Sequence, residues 1–169
     1  MYRKLFVAAF LFVSAFAHAQ TVQQLLAKKV TLPNGWALTP IGRSFPLGDL
    51  PLNMIVSKSN QLMAVTNNGQ STQSIQLINP ITEKVLDSKI IERSWYGLAF
   101  SADEKKLYAS GGHNNRIEIF SIENNKLILS DSIVLGKKWP NKVSPAGIAI
   151  DDNKQLLYIV TREDNQLYI

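Results

Sequence analysis

Beyond position 19 the sequence contains one histidine, His113, and the whole chain contains no cysteine. A metal centre needs several His, Cys, Asp or Glu side chains converging. Gly112 and Asn114 flank His113, which therefore reads as a loop histidine. Ser101, Ser110 and Ser144 carry neither a Gly-x-Ser-x-Gly elbow nor a paired base. Gly111-Gly112 opens no phosphate-cradling loop ahead of a helix. No catalytic, cofactor-binding or metal-binding residue is assigned in this stretch. What remains is polar and aromatic. Trp36, Trp95 and Trp139 offer faces on which a ligand can stack, although Trp95, at the start of a strand, is better suited to packing between repeated units. Asn67, Asn68, Gln70, His113, Asn114, Trp139 and Arg162 are candidate contacts for a small polar ligand or a peptide. The competing reading is that they are ordinary turn residues, because Asn and Gly are what tight hairpins require.

The elements that would position these groups emerge from a repeat. Pro51 to Asn68, Trp95 to Gly112 and Pro145 to Arg162 superpose without gaps at steps of 44 and 50 residues. Met54, Leu98 and Ile148 fall together, as do Val56, Phe100 and Ile150, then Met63, Leu107 and Leu157. A second block follows each, beginning at Ser74, Arg116 and Gln166. The six extra residues of the second step sit in one enlarged loop, Lys137 to Ser144. A period of this size marks an array of one supersecondary unit that cannot bury its apolar face alone. Because the third copy stops part-way, at Ile169, the chain is expected to be the front of a longer protein.

Short runs rich in Ile, Val, Leu, Phe and Tyr alternate with Asn, Asp, Gly, Ser and Pro, which is strand-and-turn vocabulary. In the second unit, strands are predicted at Tyr96 to Ser101, Lys106 to Ser110, Arg116 to Ile122 and Lys126 to Val134. Four antiparallel strands with short hairpins make one propeller blade. The expected fold is all-β, a β-propeller of four-stranded antiparallel blades, with about two and a half blades in this chain. A β-sandwich also has short, regularly spaced strands, but it does not explain gapless matches between units. Antiparallel order puts the second-to-third loops and the links to the next blade at one end. That end would gather Asn67 to Gln73, Gly111 to Asn115, Arg162 to Asn165 and Lys137 to Ser144.

Met1 to Ala19 reads as a secretory signal peptide: Arg3 and Lys4, an apolar run from Leu5 to Phe16, then Ala17-His18-Ala19. A retained anchor is the rival, but the run falls short of the roughly 20 residues that span a bilayer. Export to the periplasm or beyond is expected, with no membrane attachment after cleavage. The leader holds two of the 18 Lys and Arg, leaving 16 against 13 acidic residues, a net charge of +3. Those charges are scattered, without the basic stripe of a nucleic-acid surface. With no disulfides, stability must come from core packing. Residues 20–42 form a lead-in in which Gln20 to Lys29 is either a short helix or extended, and 43–169 form the incomplete propeller. Phe45-Pro46-Leu47-Gly48 parallels Ile133-Val134-Leu135-Gly136, so the N-terminal stretch could supply an outer strand to the last blade, although Pro46 is tolerated mainly at an edge.

Gly97-Leu98-Ala99-Phe100-Ser101-Ala102-Asp103 with Leu107-Tyr108-Ala109-Ser110, and Gly147-Ile148-Ala149-Ile150-Asp151-Asp152 with Leu157-Tyr158-Ile159-Val160-Thr161, resemble the YVTN-type β-propeller repeat. The first unit departs most, at Asn53 to Val56 and at Lys58-Ser59. A narrower likeness is carried by Leu32-Pro33-Asn34-Gly35-Trp36, Thr39-Pro40, Gly42-Arg43, Pro46 to Asn53 and Thr66 to Ile75. These are similar to the start of exported bacterial proteins in which a YncE-like propeller precedes an alkaline-phosphatase-type phosphoesterase domain. The resemblance implies a divalent-metal phosphoesterase domain after Ile169, whose nucleophile and ligands have no counterpart here. Two function classes stand: a non-catalytic exported propeller that binds a protein or small ligand, and the same propeller as the N-terminal module of a phosphoesterase. A third, lactonase-like catalysis inside the ring, needs acidic metal ligands along the channel. The inner strands offer Met54, Leu98, Ala99, Ile148 and Ala149 instead.

Overall fold

A computed structural model of the chain describes residues 22–39, 43–137, 140 and 143–169. The apolar leader and its cleavage motif lie outside the described residues, as do Lys138, Trp139, Asn141 and Lys142 of the enlarged loop. The chain divides into two compact units, residues 1–44 and 45–169.

In the smaller unit the lead-in is helical: α1 spans Val22–Ala27. A two-stranded hairpin follows, β1 (Val30–Thr31) against β2 (Ala37–Leu38). Its turn is written in Pro33-Asn34-Gly35. The Gly35 N–H donates to Leu32 O, the Trp36 N–H donates to Asn34 Oδ1, and Gly35 takes the left-handed φ of 81° that glycine tolerates.

The larger unit holds three antiparallel sheets, one per repeat. The first is β3 (Pro51–Val56), β4 (Met63–Asn67), β5 (Ser74–Asn79) and β6 (Lys84–Ile90), in that order. The second is β7 (Leu98–Phe100), β8 (Lys106–Ser110), β9 (Arg116–Glu123) and β10 (Lys126–Val134). The third is β11 (Pro145–Asp151), β12 (Leu156–Thr161) and β13 (Leu167–Tyr168). Matching positions share their register: Met54 pairs with Val65, Leu98 with Ala109 and Ile148 with Ile159. The first turn, which departs most from the repeat, closes with the same bond as the second. Asn60 N donates to Ser57 O and Glu104 N donates to Ser101 O.

The first strand of the second unit is shorter than its predicted span, Tyr96 to Ser101. It covers Leu98–Phe100, although Gly97 O and Ser101 N still bond to β8, and the Tyr96 carbonyl accepts a 2.7 Å bond from Asn53 Nδ2 of the preceding sheet. Phe45 to Gly48 forms no strand among the described residues; the Gly48 N–H donates to the Gln76 side-chain oxygen.

Sheets stack face to face through their alternating side chains. Ala64, Ile75, Leu77 and Ile91 of the first meet Leu98, Leu107, Ala109, Phe120 and Leu127 of the second in one buried cluster. Each large side chain buried this way contributes about 1.5–3 kcal/mol. The inner strands β3, β7 and β11 are neighbours in that order, and the outermost strands β6 and β10 also touch. Polar bonds tie the same seams. Glu104 accepts from the Ser59 N–H at 2.5 Å and its hydroxyl at 2.6 Å, and Asp152 accepts from the Ala102 N–H. At the outer edge Asp87 accepts from the Leu127 N–H at 2.8 Å and pairs with Lys126. Burial alone would raise the Asp87 carboxyl, but the Leu127 amide and the Lys126 charge outweigh it and hold it below the usual range.

Candidate functional site

At the end of the sheets that carries the second-to-third loops, the second repeat's entry link and loop and the third repeat's loop bring Trp95, His113 and Arg162 together. Trp95 belongs to the link between β6 and β7, where Ser94 just before it is 2% exposed. His113 lies on a single 3-10 turn, Gly112–Asn114. That turn can rest on Trp95 because position 112 is glycine. A Cβ there would stand 3.2 Å from Arg93 O and 3.4 Å from Trp95 Cβ, and its φ of 47° is in the left-handed region. The imidazole stacks on the indole at 6.1 Å between centroids, with the planes 25° apart. The Arg162 guanidinium stands 5.6 Å from the Trp95 ring centroid, within reach for a cation–π contact.

Backbone bonds fix the surroundings. Arg162 N donates to Ser144 O and Glu163 N to Val143 O, which ties the third repeat's loop to the enlarged link. Asn115, fully buried, organises the junction: its Oδ1 accepts from Ser144 N at 2.8 Å, its Nδ2 donates to Lys137 O, and its carbonyl accepts from Leu135 N. The Ser110 hydroxyl donates to Pro145 O. Asn114 donates to Glu92 at 2.9 Å, and Glu163 lies 3.6 Å from Arg162. The result is an aromatic and cationic patch rimmed by two carboxylates. Beside it, the buried hydroxyls of Ser94 and Ser144 have no protein partner. In the third repeat's loop Asp164 accepts from the Thr161 hydroxyl and from Tyr168. The Thr161 bond chiefly holds its carboxyl below the ordinary value, and Asp164 pushes the phenol up.

The sequence-derived residues divide by placement. His113 and Arg162 belong to the patch, and Asn114 supports it from a 9% exposed position. Asn67 is buried, with its amide donating to Ser74 and Gln76. Asn68 donates its N–H to Leu50 O, and Gln70 is exposed at the tip of the first repeat's loop. Trp139 lies outside the described residues, and Trp36 is in the hairpin of the smaller unit, 74% exposed. Trp95, suited by its sequence position to packing more than to stacking, joins the patch; Glu163 lies within the expected Arg162 to Asn165 loop, and Glu92 is the contributor that sequence reasoning missed. The antiparallel order that assigned Lys137 to Ser144 to this end equally assigns the 91–97 link.

At the other end of the inner strands lies an open depression of about 760 Å³, bordered by Val56, Lys58, Phe100, Ser101, Asp151 and Asp152. Among the described residues no group of three or more His, Cys, Asp or Glu is placed to hold a metal ion.

No protein-family model matches the sequence, and no curated protein matches it significantly. Solved structures do match. U3-55K superposes with a TM-score of 0.55 at 14% identity, over 75% of this chain and 41% of that one. The WD40 repeats of RRP9 match at 0.54 and 12%, over 75% and 40%. Hydrazine synthase of Kuenenia stuttgartiensis matches at 0.51 and 17%, over 70% and 31%. This chain is a partial β-propeller. The three sheets of its larger unit are the blades, two of four strands and one of three among the described residues, and β3, β7 and β11 are the innermost strands. The chain spans between 31% and 41% of the length of these three structures.

Proposed function

We propose that this chain is a binding or scaffolding propeller module that works outside the cytoplasm and presents its second-to-third loop end to a protein or small polar ligand. One observation carries the reading: Trp95 and His113 of blade 2 and Arg162 of blade 3 meet on that end. The half-buried indole and the imidazole stacked on it give a ligand an aromatic surface. Arg162, exposed beside it, adds a positive charge that a carboxylate or phosphate can take over from Glu163. The apolar leader supports export. Affinity capture from the exported fraction tests it. A specific partner should be lost with Trp95→Ala and with Arg162→Ala, and retained with Lys58→Ala at the opposite end. Retention by all three variants would overturn the reading.

For the intact protein the proposal extends to a larger, alkaline-phosphatase-like phosphoesterase of which this is the N-terminal part, with a divalent metal in the domain that follows. Its support is the likeness of the lead-in segment, Leu32 to Asn53, and of Thr66 to Ile75. The alternative is a free-standing, non-catalytic periplasmic propeller. Immunopurifying the native polypeptide with an antibody to this segment and assaying chelator-sensitive phosphate-ester hydrolysis separates the two.

A further inference from the structure

Among the described residues, three basic and three acidic side chains belong to the elements around His113. The β6–β7 link brings Glu92 and Arg93, the β12–β13 loop brings Arg162, Glu163 and Asp164, and the β10–β11 link brings Lys137, whose carbonyl bonds to Asn115. Arg116, just past the His113 turn, is paired with Glu118 at 2.8 Å. The formal charges cancel. His113 is therefore the residue that decides the sign, because imidazole is the side chain that ordinarily gains its charge between about pH 5 and pH 8.

The stack accommodates the charged ring as well as the neutral one. The imidazole lies 6.1 Å from the Trp95 indole, centroid to centroid, with the planes 25° apart, and the electron-rich face of an indole attracts a cation. Arg162 stands over the same ring at 5.6 Å. A protonated His113 thus puts a second cation beside Arg162 on one indole, and an anion close to both relieves their repulsion. The Arg162 side chain is 57% exposed and lies 3.6 Å from Glu163. Such a contact is worth little at a surface, whereas a guanidinium fork grips an oxyanion with two charge-assisted bonds. Ser94, next to Trp95, and Ser144, whose carbonyl takes the Arg162 N–H, add two buried hydroxyls without a protein partner. They share one repeat position, ahead of the innermost strands of blades 2 and 3.

We infer that this end of the propeller takes an oxyanion, the charged group of a phosphate ester or of a carboxylate, through Arg162 and His113 together, and takes it more tightly as pH falls through the titration of His113. The inference rests on the reading of this end as the ligand face. Its sign follows from linkage. A bound anion favours the imidazolium over the neutral ring, so affinity for the anion rises on acidification. By reciprocity the bound anion makes His113 titrate at higher pH, by the same factor.

Titrating the full chain with sulfate, and separately with formate, tests it, because both probes stay ionised between about pH 5 and pH 8 and only the protein changes charge. Tryptophan fluorescence reads binding, and the imidazole proton resonances of His113 read its protonation. The dissociation constant should be about tenfold lower at the acid end, within the usual span of site-to-site couplings. His113→Asn should flatten that pH dependence and Arg162→Gln should weaken binding at both ends, with circular dichroism verifying both folds. Binding of sulfate alone assigns a phosphate-like ligand, of formate alone a carboxylate, and of both an oxyanion of either shape. Four results would overturn the inference: no saturable binding of either probe, an affinity indifferent to pH, a pH dependence that survives in His113→Asn, or binding indifferent to Arg162→Gln. The ligand-face reading fails separately, when partner capture at constant pH ignores both Trp95→Ala and Arg162→Ala.

Discussion

Leu98 and Met54 hold the same place in the repeat and differ in whether a blade lies against them, so truncating each to alanine isolates what a seam contributes. Leu98 is 5% exposed within the cluster that includes Leu77, Leu107 and Phe120. Leu98→Ala removes three carbon groups at about 0.8 kcal/mol each and leaves a space among close-packed neighbours, giving a total cost of about 2–5 kcal/mol. Met54 is already 56% exposed, and its removal encloses no cavity. Met54→Ala should cost roughly 1 kcal/mol or less by the same area reasoning. Urea unfolding followed by tryptophan fluorescence measures both. Equal costs would refute the claim that blade-on-blade packing, rather than the strand itself, supplies the stability.

Gly97→Ala should destabilise by about 1–3 kcal/mol through overpacking, because its Cβ would lie 2.4 Å from Ala146 O and 2.8 Å from Ile148 Cγ1 across the seam of blades 2 and 3; the same unfolding assay reads it. Glu104 bridges blades 1 and 2, and bonds from the Ser59 hydroxyl and amide hold its carboxyl below the ordinary 4.5. A carboxyl depressed in the folded state adds stability above its unfolded value and loses it as pH falls through the folded one. The melting temperature should therefore drop below about pH 4.5, and Glu104→Gln should flatten that drop while lowering the neutral-pH value; an unchanged pH slope would count against the bridge. Asn115→Ala should cost about 1–3 kcal/mol, since it leaves the buried Ser144 N–H unpaired. It should also speed amide exchange in residues 135–137 and 143–144, and exchange mass spectrometry showing no change there would contradict its role as the organiser of that link.

The blades were legible in the sequence because the same alternation recurs at fixed steps. Lys106–Ser110 and Lys126–Val134 match their expected spans, and Arg116–Glu123 runs one residue past its own. The bond from Asn53 to the Tyr96 carbonyl ahead of β7 was not legible, since Asn53 is a side chain from the neighbouring blade. Helix or extended chain for Gln20 to Lys29 was undecidable from three apolar residues; the helix covers Val22–Ala27. The loop end itself followed from antiparallel order. Which of its residues face outward did not. Asn67 and Gln70 look alike as turn residues, yet Asn67 is fully buried by bonds to Ser74 and Gln76 that only the strand register brings near. Sequence position favoured seam packing for Trp95; its contacts with His113, from a later loop of the same blade, and with Arg162 of the next blade arise only on folding.

Hydrogen–deuterium exchange of the chain with and without its captured partner tests the loop-end reading most directly. Protection should concentrate in 91–97, 111–115 and 162–165, around Trp95, His113 and Arg162. Protection confined to the opposite turns, 57–62 and 101–105, or spread evenly over the chain, would contradict it.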